Sequence, residues 1–185
     1  MYIETYTYED YKKWEGDWEL IEGVPLAMAP SPVGIHQLLS FGIAKLFEEI
    51  VEECDECFVL IEEDYIVDEE TILKPDVAVV CNYDIYSYIK NTPNTIAEVI
   101  SPSTIKRDEH IKFEIYEKEG VEWLFLVYPN ILKVKAYRLI DGKYKKIGDF
   151  TDEKLKIKVE ECEGELDFEK LFRKIKKYLK RKKWD

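Results

Sequence analysis

The sequence predicts a mixed α/β (α+β) fold, a central mixed β-sheet flanked by helices. Two long segments, 35–51 and 104–118, carry apolar residues at helical spacing. Between and after them lie short runs in which apolar residues alternate or are continuous, the mark of strands. Strand pairs interrupted by two long helices favour such a layered sheet over an all-β sandwich.

Thr7, followed by Glu9 and Asp10, opens a short helix that ends near Gly16, because a threonine cap and first-turn acids satisfy its exposed N–H groups. Segments 18–22 and 24–28 form a hairpin around Gly23, and Pro30-Ser31-Pro32 breaks it. In 35–51, Ile35, Leu38, Leu39, Ile43, Leu46, Phe47, Ile50 and Val51 make one apolar face opposite an acidic one. Strands at 58–67 and 72–80 follow with acidic turn residues between them. After them come a short helix or excursion at 83–90 and another strand at 95–101. The second long helix has Asp108 and Glu109 near its start and Gly120 just past its end. Segment 123–127 is apolar at every position, so it should be buried on both faces. Pro129-Asn130 turns the chain into 132–140, and Asp141-Gly142 is a two-residue hairpin signal leading into 144–150.

The 185 residues suit a single domain, 1–185, with its core at about 17–150. No run approaches the roughly 20 apolar residues of a membrane span, and no N-terminal stretch joins a basic start to an apolar core. A cytoplasmic protein with no membrane partner is therefore expected. Cys54 and Cys57 form a lone C-x-x-C, while Cys81 and Cys162 stand apart in the chain. A zinc site needs four ligands, so this half-site carries little weight and ordinary reduced thiols are expected.

Net charge is −12, yet residues 169–185 hold nine Lys or Arg against two acids, leaving −19 on the remainder. Phe168, Leu171, Phe172, Ile175, Tyr178 and Leu179 recur there at helical spacing, so a basic amphipathic helix at about 167–183 should dock on the domain. Its cations suit either a solvated face that complements the helix dipole or contact with phosphates.

Asp76 and Glu98 are the candidate chemistry, because each puts a carboxylate inside an apolar, strand-like run. Read with period two, Asp76 shares a face with Ile72, Ala78 and Val80, and Glu98 with Ile96 and Ile100. Two ionised carboxylates in such places are costly without accompanying positive charge. A hard divalent cation supplies it, and Mg²⁺ prefers one or two carboxylates, waters and phosphate oxygens, which points to metal-assisted phosphodiester cleavage. The bland alternative is two separate surface acids on edge strands.

Trp18-Glu19-Leu20-Ile21-Glu22-Gly23, Pro30-Ser31-Pro32 with His36-Gln37, Lys74-Pro75-Asp76-Val77, 97–104, and Asp108 with Lys112-Phe113 and Tyr116 resemble, in this order, the Uma-type restriction endonuclease family. That family belongs to the PD-(D/E)XK nuclease superfamily. The likeness runs from about Trp18 to Pro129. It implies a restriction-endonuclease-like core and Mg²⁺-dependent hydrolysis of DNA, with Mn²⁺ as an alternative ion. Asp76 resembles the PD aspartate, Glu98 the second metal-binding carboxylate with the Val99 carbonyl beside it, and Glu19 the acid from before the first long helix. Glu22, beside a turn glycine, is the weaker choice. The superfamily's lysine would stand at position 100, where this chain has Ile100. Lys112 is the expected substitute, running its stem along the Ile111 and Ile115 stripe, with an exposed Asp108–Lys112 helix pair as the bland account. Lys74 and Lys106 are fallbacks. His36, on the flank of its helix stripe, could touch metal-bound water or phosphate, although a structural histidine is the commoner case. Tyr128 stands where the family commonly has an aspartate.

The reading is thus a Mg-dependent endonuclease, with a homodimer expected by analogy with duplex-cutting enzymes. Its competitor is an inactive nuclease-fold module that binds nucleic acid or protein. A small-molecule phosphohydrolase ranks last, because no Gly-rich loop precedes a helix.

Overall fold

Pro75 decides how the sheets are divided. The expected strand at 72–80 splits at Lys74-Pro75-Asp76 into β5 (Ile72–Leu73) and β6 (Val77–Cys81), which belong to different sheets. Proline lacks the N–H a ladder needs, so one continuous strand cannot run through it. The computed structural model describes residues 4–28, 33–102 and 107–182. Pro30-Ser31-Pro32, the start of the second long helix at Thr104, and Lys106 lie outside the described residues.

Helix α1 (Tyr8–Tyr11) is capped by Thr7 and Asp10, and β1 (Trp18–Ile21) pairs with β2 (Val24–Ala27) as expected. Helix α2 (Gly34–Val51) follows, with Leu38 of the expected stripe left exposed. The expected strand at 58–67 becomes β3 (Cys57–Ile61) and β4 (Tyr65–Ile66). They are separated where Glu62 takes a positive φ of 53°. Segment 83–90 is an excursion rather than a helix, and Ile89 bridges back to Tyr65. Next come β7 (Thr95–Val99), a π-helical turn (Arg107–Lys112), α3 (Phe113–Glu119) and β8 (Trp123–Tyr128). Gly120 closes α3 with φ 85°, a conformation glycine adopts without a Cβ penalty. Strands β9 (Lys133–Ile140) and β10 (Lys143–Phe150) meet at Asp141-Gly142, both at positive φ as the tight hairpin requires.

The central sheet runs β10-β9-β8-β7-β6-β3. All its pairs are antiparallel except β7–β8, which the π turn and α3 connect as a crossover. Its two faces bury separate clusters. Val77, Val79, Ala97, Val99, Phe125 and Val127 pack with α2, while Ala78, Val80, Ile96, Leu124 and Leu126 pack with Tyr116 of α3 and with Ile21, Tyr65 and Leu73 of the smaller sheet β2-β1-β5-β4. Strand β8 is buried along nearly its whole length, as its unbroken apolar run requires.

Three expectations are corrected by the structure. The core does not end near 150: β11 (Lys154–Val159) and β12 (Cys162–Asp167) form a further hairpin that places Ile157, Val159 and Leu166 against α2. Helix α4 (Phe168–Lys182) buries Phe168, Leu171, Phe172 and Ile175, but Tyr178 and Leu179 are exposed, because its last turns carry on beyond the core. The four cysteines, expected to be separate reduced thiols, are gathered by the fold, with sulfurs joined Cys54 to Cys162 and Cys57 to Cys81. Chain separation concealed that proximity.

Gly164 lets the β11–β12 hairpin lie on α2, since a Cβ there would sit 2.9 Å from Ile50 Cγ1. Gly164→Val is expected to cost about 1–3 kcal/mol of stability through this overpacking, read from the midpoint of urea unfolding.

Candidate active site

Each element that reaches the site brings one polar side chain to the same end of the sheet. Strand β1 points Glu19 to the side of Ile21, and its side chain is fully buried. Asp76 directly precedes β6, whose register Val77↔Ala97 brings it to the end of β7 that carries Glu98 and Val99, where its Oδ2 accepts the Val99 N–H. Glu98 is buried among the residues around Ile96 and Ile100. Ile100 itself belongs to that core, so a lysine two residues after Glu98 has no place in this packing.

Lys112 takes that charge position from the other side. Its side chain is 2% exposed, with Nζ 2.7 Å from Glu98 Oε1 and 2.9 Å from Glu19 Oε1. The same ammonium lies 3.4 Å from the Lys74 carbonyl. The π turn sets the phase of this helix. Lys112 and Tyr116, four residues apart, make the buried face, whereas Ile111, expected to line the core, is exposed. Tyr116 donates its hydroxyl hydrogen to Glu98 Oε1 at 2.6 Å. The Asp108 side chain lies outside the described residues.

Asp76 is held by two groups. Its Oδ2 accepts the Val99 N–H at 2.6 Å, and its Oδ1 lies 3.3 Å from His36 Nε2. The Nδ1 of His36 is 3.4 Å from the Ser40 hydroxyl. The structure therefore seats His36 on Asp76 itself. Glu22 is exposed in the β1–β2 turn at φ 49°, which takes it out of this group.

Sequence reasoning missed several members. Arg107 Nε lies 3.3 Å from Glu19 Oε2, so two buried acids face two cations. The Glu19 Oε1 atom also accepts the Lys74 N–H at 2.9 Å. The side chain of Lys74 turns toward the N-terminal layer, 3.0 Å from Asp17 and 3.5 Å from Asp64. Burial works to lower the Lys74 pKa, but the Asp17 hydrogen bond and the Asp64 charge outweigh it and hold the ammonium above its usual range. Tyr11 donates to Asp64 Oδ2 at 2.9 Å. Tyr128 donates to Glu109, with Lys135 Nζ 4.2 Å above its ring. No local spacing signals these partners, because each comes from a distant element.

With the cysteine sulfurs joined in pairs, the described residues contain no group of three or more His, Cys, Asp or Glu side chains arranged to hold a metal. Asp76, Glu98 and the Val99 carbonyl themselves would offer oxygens, the donor type a hard divalent cation accepts, and the carboxylates are at present met by Lys112, Tyr116, His36 and the Val99 N–H.

A mixed sheet carrying acids at one end between helical layers is the architecture of a nuclease-like fold. A family model described as "Uma2: Putative restriction endonuclease" matches residues 8–167. The chain belongs to the Uma2 family. Among solved structures, it is similar to one described as "a putative nuclease belonging to DUF820" from Anabaena variabilis ATCC 29413. The TM-score is 0.70 at 18% identity over 90% of this chain and 97% of that one. No curated protein matches the chain. Among the described residues no helix is long and apolar enough to cross a membrane.

Replacing Lys112 with Met would leave Glu19 and Glu98 facing each other without their shared cation. The expected loss is about 3–5 kcal/mol, and Tyr116→Phe should lose about 1–3 kcal/mol. Chemical denaturation of the two variants reads both.

Proposed function

We propose that the protein is a divalent-metal-dependent endonuclease that hydrolyses DNA phosphodiester bonds, with Mg²⁺ as its ion and Mn²⁺ as a substitute. The observation that supports this reading is Asp76 bonded to the Val99 N–H, next in the chain to Glu98, with a buried Lys112 ammonium delivered to Glu98 from another element. Asp76, Glu98 and the Val99 carbonyl would hold the ion. When bound, it polarises a phosphodiester oxygen and acidifies a coordinated water.

The chain's own residues do the rest. Lys112 offsets negative charge building on the phosphoryl oxygens, a task the position of Ile100 cannot perform. Glu19 and the Lys74 carbonyl hold the Lys112 ammonium in place. Tyr116 orients Glu98, and His36 and the Val99 N–H orient Asp76.

Helix α4 supplies the positive surface that an otherwise acidic body lacks. Arg173, Lys174, Lys177, Lys180, Arg181 and Lys182 are exposed. Among the described residues the helix's ion pairs involve only Lys170, with Glu49, and Lys176, with Asp152. The other cations are placed to meet the phosphate backbone. A homodimer acting in the cytoplasm, one active site per strand, suits duplex substrates.

A nuclease-fold binding module without catalysis is the competing reading. It is favoured by Lys112 being held between two acids, an arrangement that also serves as a purely structural ion pair. Incubation of the purified protein with plasmid and oligonucleotide DNA in Mg²⁺, Mn²⁺ or EDTA separates the two. Cleavage should need the metal, and Asp76→Ala should lower it by about 10²-fold or more. Cleavage that persists in EDTA, or undiminished in Asp76→Ala, removes the proposal. Calorimetric Mg²⁺ titration of wild type against Asp76→Ala tests the ion site without activity.

Charge reversal of Arg173, Lys174 and Lys177 to Glu should weaken DNA binding in fluorescence anisotropy. The slope of log affinity against log salt should become shallower by roughly 0.9 for each phosphate that the helix no longer neutralises.

A further inference from the structure

The C-x-x-C at Cys54 and Cys57, unused by the nuclease site, lies beside every other cysteine of the chain. Cys54 and Cys57 stand in the turn from α2 to β3, closed by a 3.1 Å hydrogen bond from the Cys57 N–H to the Cys54 carbonyl. Cys57 pairs directly with Cys81 at the end of β6. Cys162 opens β12 and is joined to Cys54. Cys54, Cys57 and Cys81 line one pocket together with Glu160 and Glu161 of the β11–β12 turn. Four sulfurs from three separate segments thus meet at one end of the sheet, on the side of α2.

We propose that in the reduced protein Cys54, Cys57, Cys81 and Cys162 form a tetrathiolate structural zinc site. A closed zinc site takes four ligands in tetrahedral array, and C-x₂₋₄-C turns commonly supply two of them. The C-x-x-C turn brings the two sulfur pairs side by side, the arrangement a four-sulfur cage requires. Cys57 and Cys81 are directly opposed across β3 and β6 with Cα atoms 3.9 Å apart, so the ladder itself presents these two sulfurs side by side. The reduced state rests on the cytoplasmic setting proposed above, where a thiol pool keeps cysteines reduced.

The chemistry balances in two steps. A low-molecular-weight thiol reductant gives four electrons, and with four protons the two disulfides become four thiols. Binding one Zn²⁺ then releases those four protons and leaves a complex of net charge −2. Asp55, Glu56, Glu160 and Glu161 line the same pocket. Their charge works against bare thiolates and draws in the cation that neutralises them.

Groups around the ligands hold the three segments in register. Asn94 accepts the Cys81 N–H through Oδ1 at 3.2 Å and donates through Nδ2 to Glu160 Oε1 at 2.8 Å. Asn91 donates to the Cys81 carbonyl at 2.7 Å, and the Asn82 N–H donates to the Glu56 carbonyl at 2.8 Å. Such second-layer bonds fix ligand direction. With no open coordination position, the zinc would clip the β11–β12 hairpin to α2 and the central sheet, and would take no part in phosphodiester chemistry.

The full chain, purified anaerobically without chelators, should carry one zinc per molecule by inductively coupled plasma mass spectrometry. Its four thiols should react with a thiol reagent only after a chelator is added. Cobalt titrated into the reduced, metal-free chain should give sulfur-to-cobalt charge-transfer bands and the d–d bands of a tetrahedral site. Cys81→Ser and Cys162→Ser should each lower zinc content about tenfold or more, and Asp76→Ala should leave it unchanged, so the zinc and magnesium assignments fail separately. Should the serine variants be insoluble, the cobalt titration of wild type decides. Reduced protein that holds no zinc and gives no tetrathiolate cobalt bands overturns the proposal, as does a chain whose disulfides survive a cytosol-like thiol buffer.

Discussion

A lysine ammonium sealed between two carboxylates organises this molecule. Lys112 approaches Glu98 and Glu19 within 2.7 and 2.9 Å while almost wholly removed from water. In such a setting a lone charge is prohibitively costly, and each partner is tolerable only because the others are present. The pairing therefore ties together three elements far apart in the chain: β1, β7 and the π turn before α3. Tyr116 extends the same network through its hydrogen bond to Glu98, and the Arg107 charge lies beside Glu19.

The two sheets are arranged so that this network can form. Pro75 ends one ladder and frees the next, and the break leaves Asp76 at the seam between the small sheet and the central sheet. The Lys74 backbone at that seam donates to Glu19 and receives Lys112. On the far face, α2 brings His36 to Asp76. A carboxylate pair on neighbouring strands is thus reached from both faces of the sheet, by a histidine on one side and a lysine on the other. Uma2 membership and the nuclease-like fold give that arrangement its chemical context.

Away from the acids, the β11–β12 hairpin and α4 complete the layer over α2. Their charges are segregated: the hairpin turn is acidic, the helix basic. The alternation of Lys154, Leu155, Lys156, Ile157, Lys158 and Val159 was a readable strand signal. The partner strand, with its glycine and three acids, has low strand propensity and hid the hairpin. Its stability comes from packing on Ile50 and α2 rather than from its own sequence.

The sequence by itself determined the order of elements wherever pattern and turn chemistry agree: the long apolar face of α2, the continuous run of β8, and the turns at Gly23, Gly120 and Asp141-Gly142. It also singled out Asp76 and Glu98, because a carboxylate inside an apolar strand-like run stands out locally, whereas Glu19 and Lys112 were pointed to by the resemblance to the Uma-type family. Only the tertiary structure decided which charges meet. Arg107 with Glu19, Tyr116 with Glu98, His36 with Asp76 and the four cysteines are all long-range pairings, and nothing in local periodicity encodes them. The π turn shows the limit most plainly. Ile111 is exposed and Ile115 only partly buried, whereas Lys112 and Tyr116 take the buried face, where they meet the acids of the sheet.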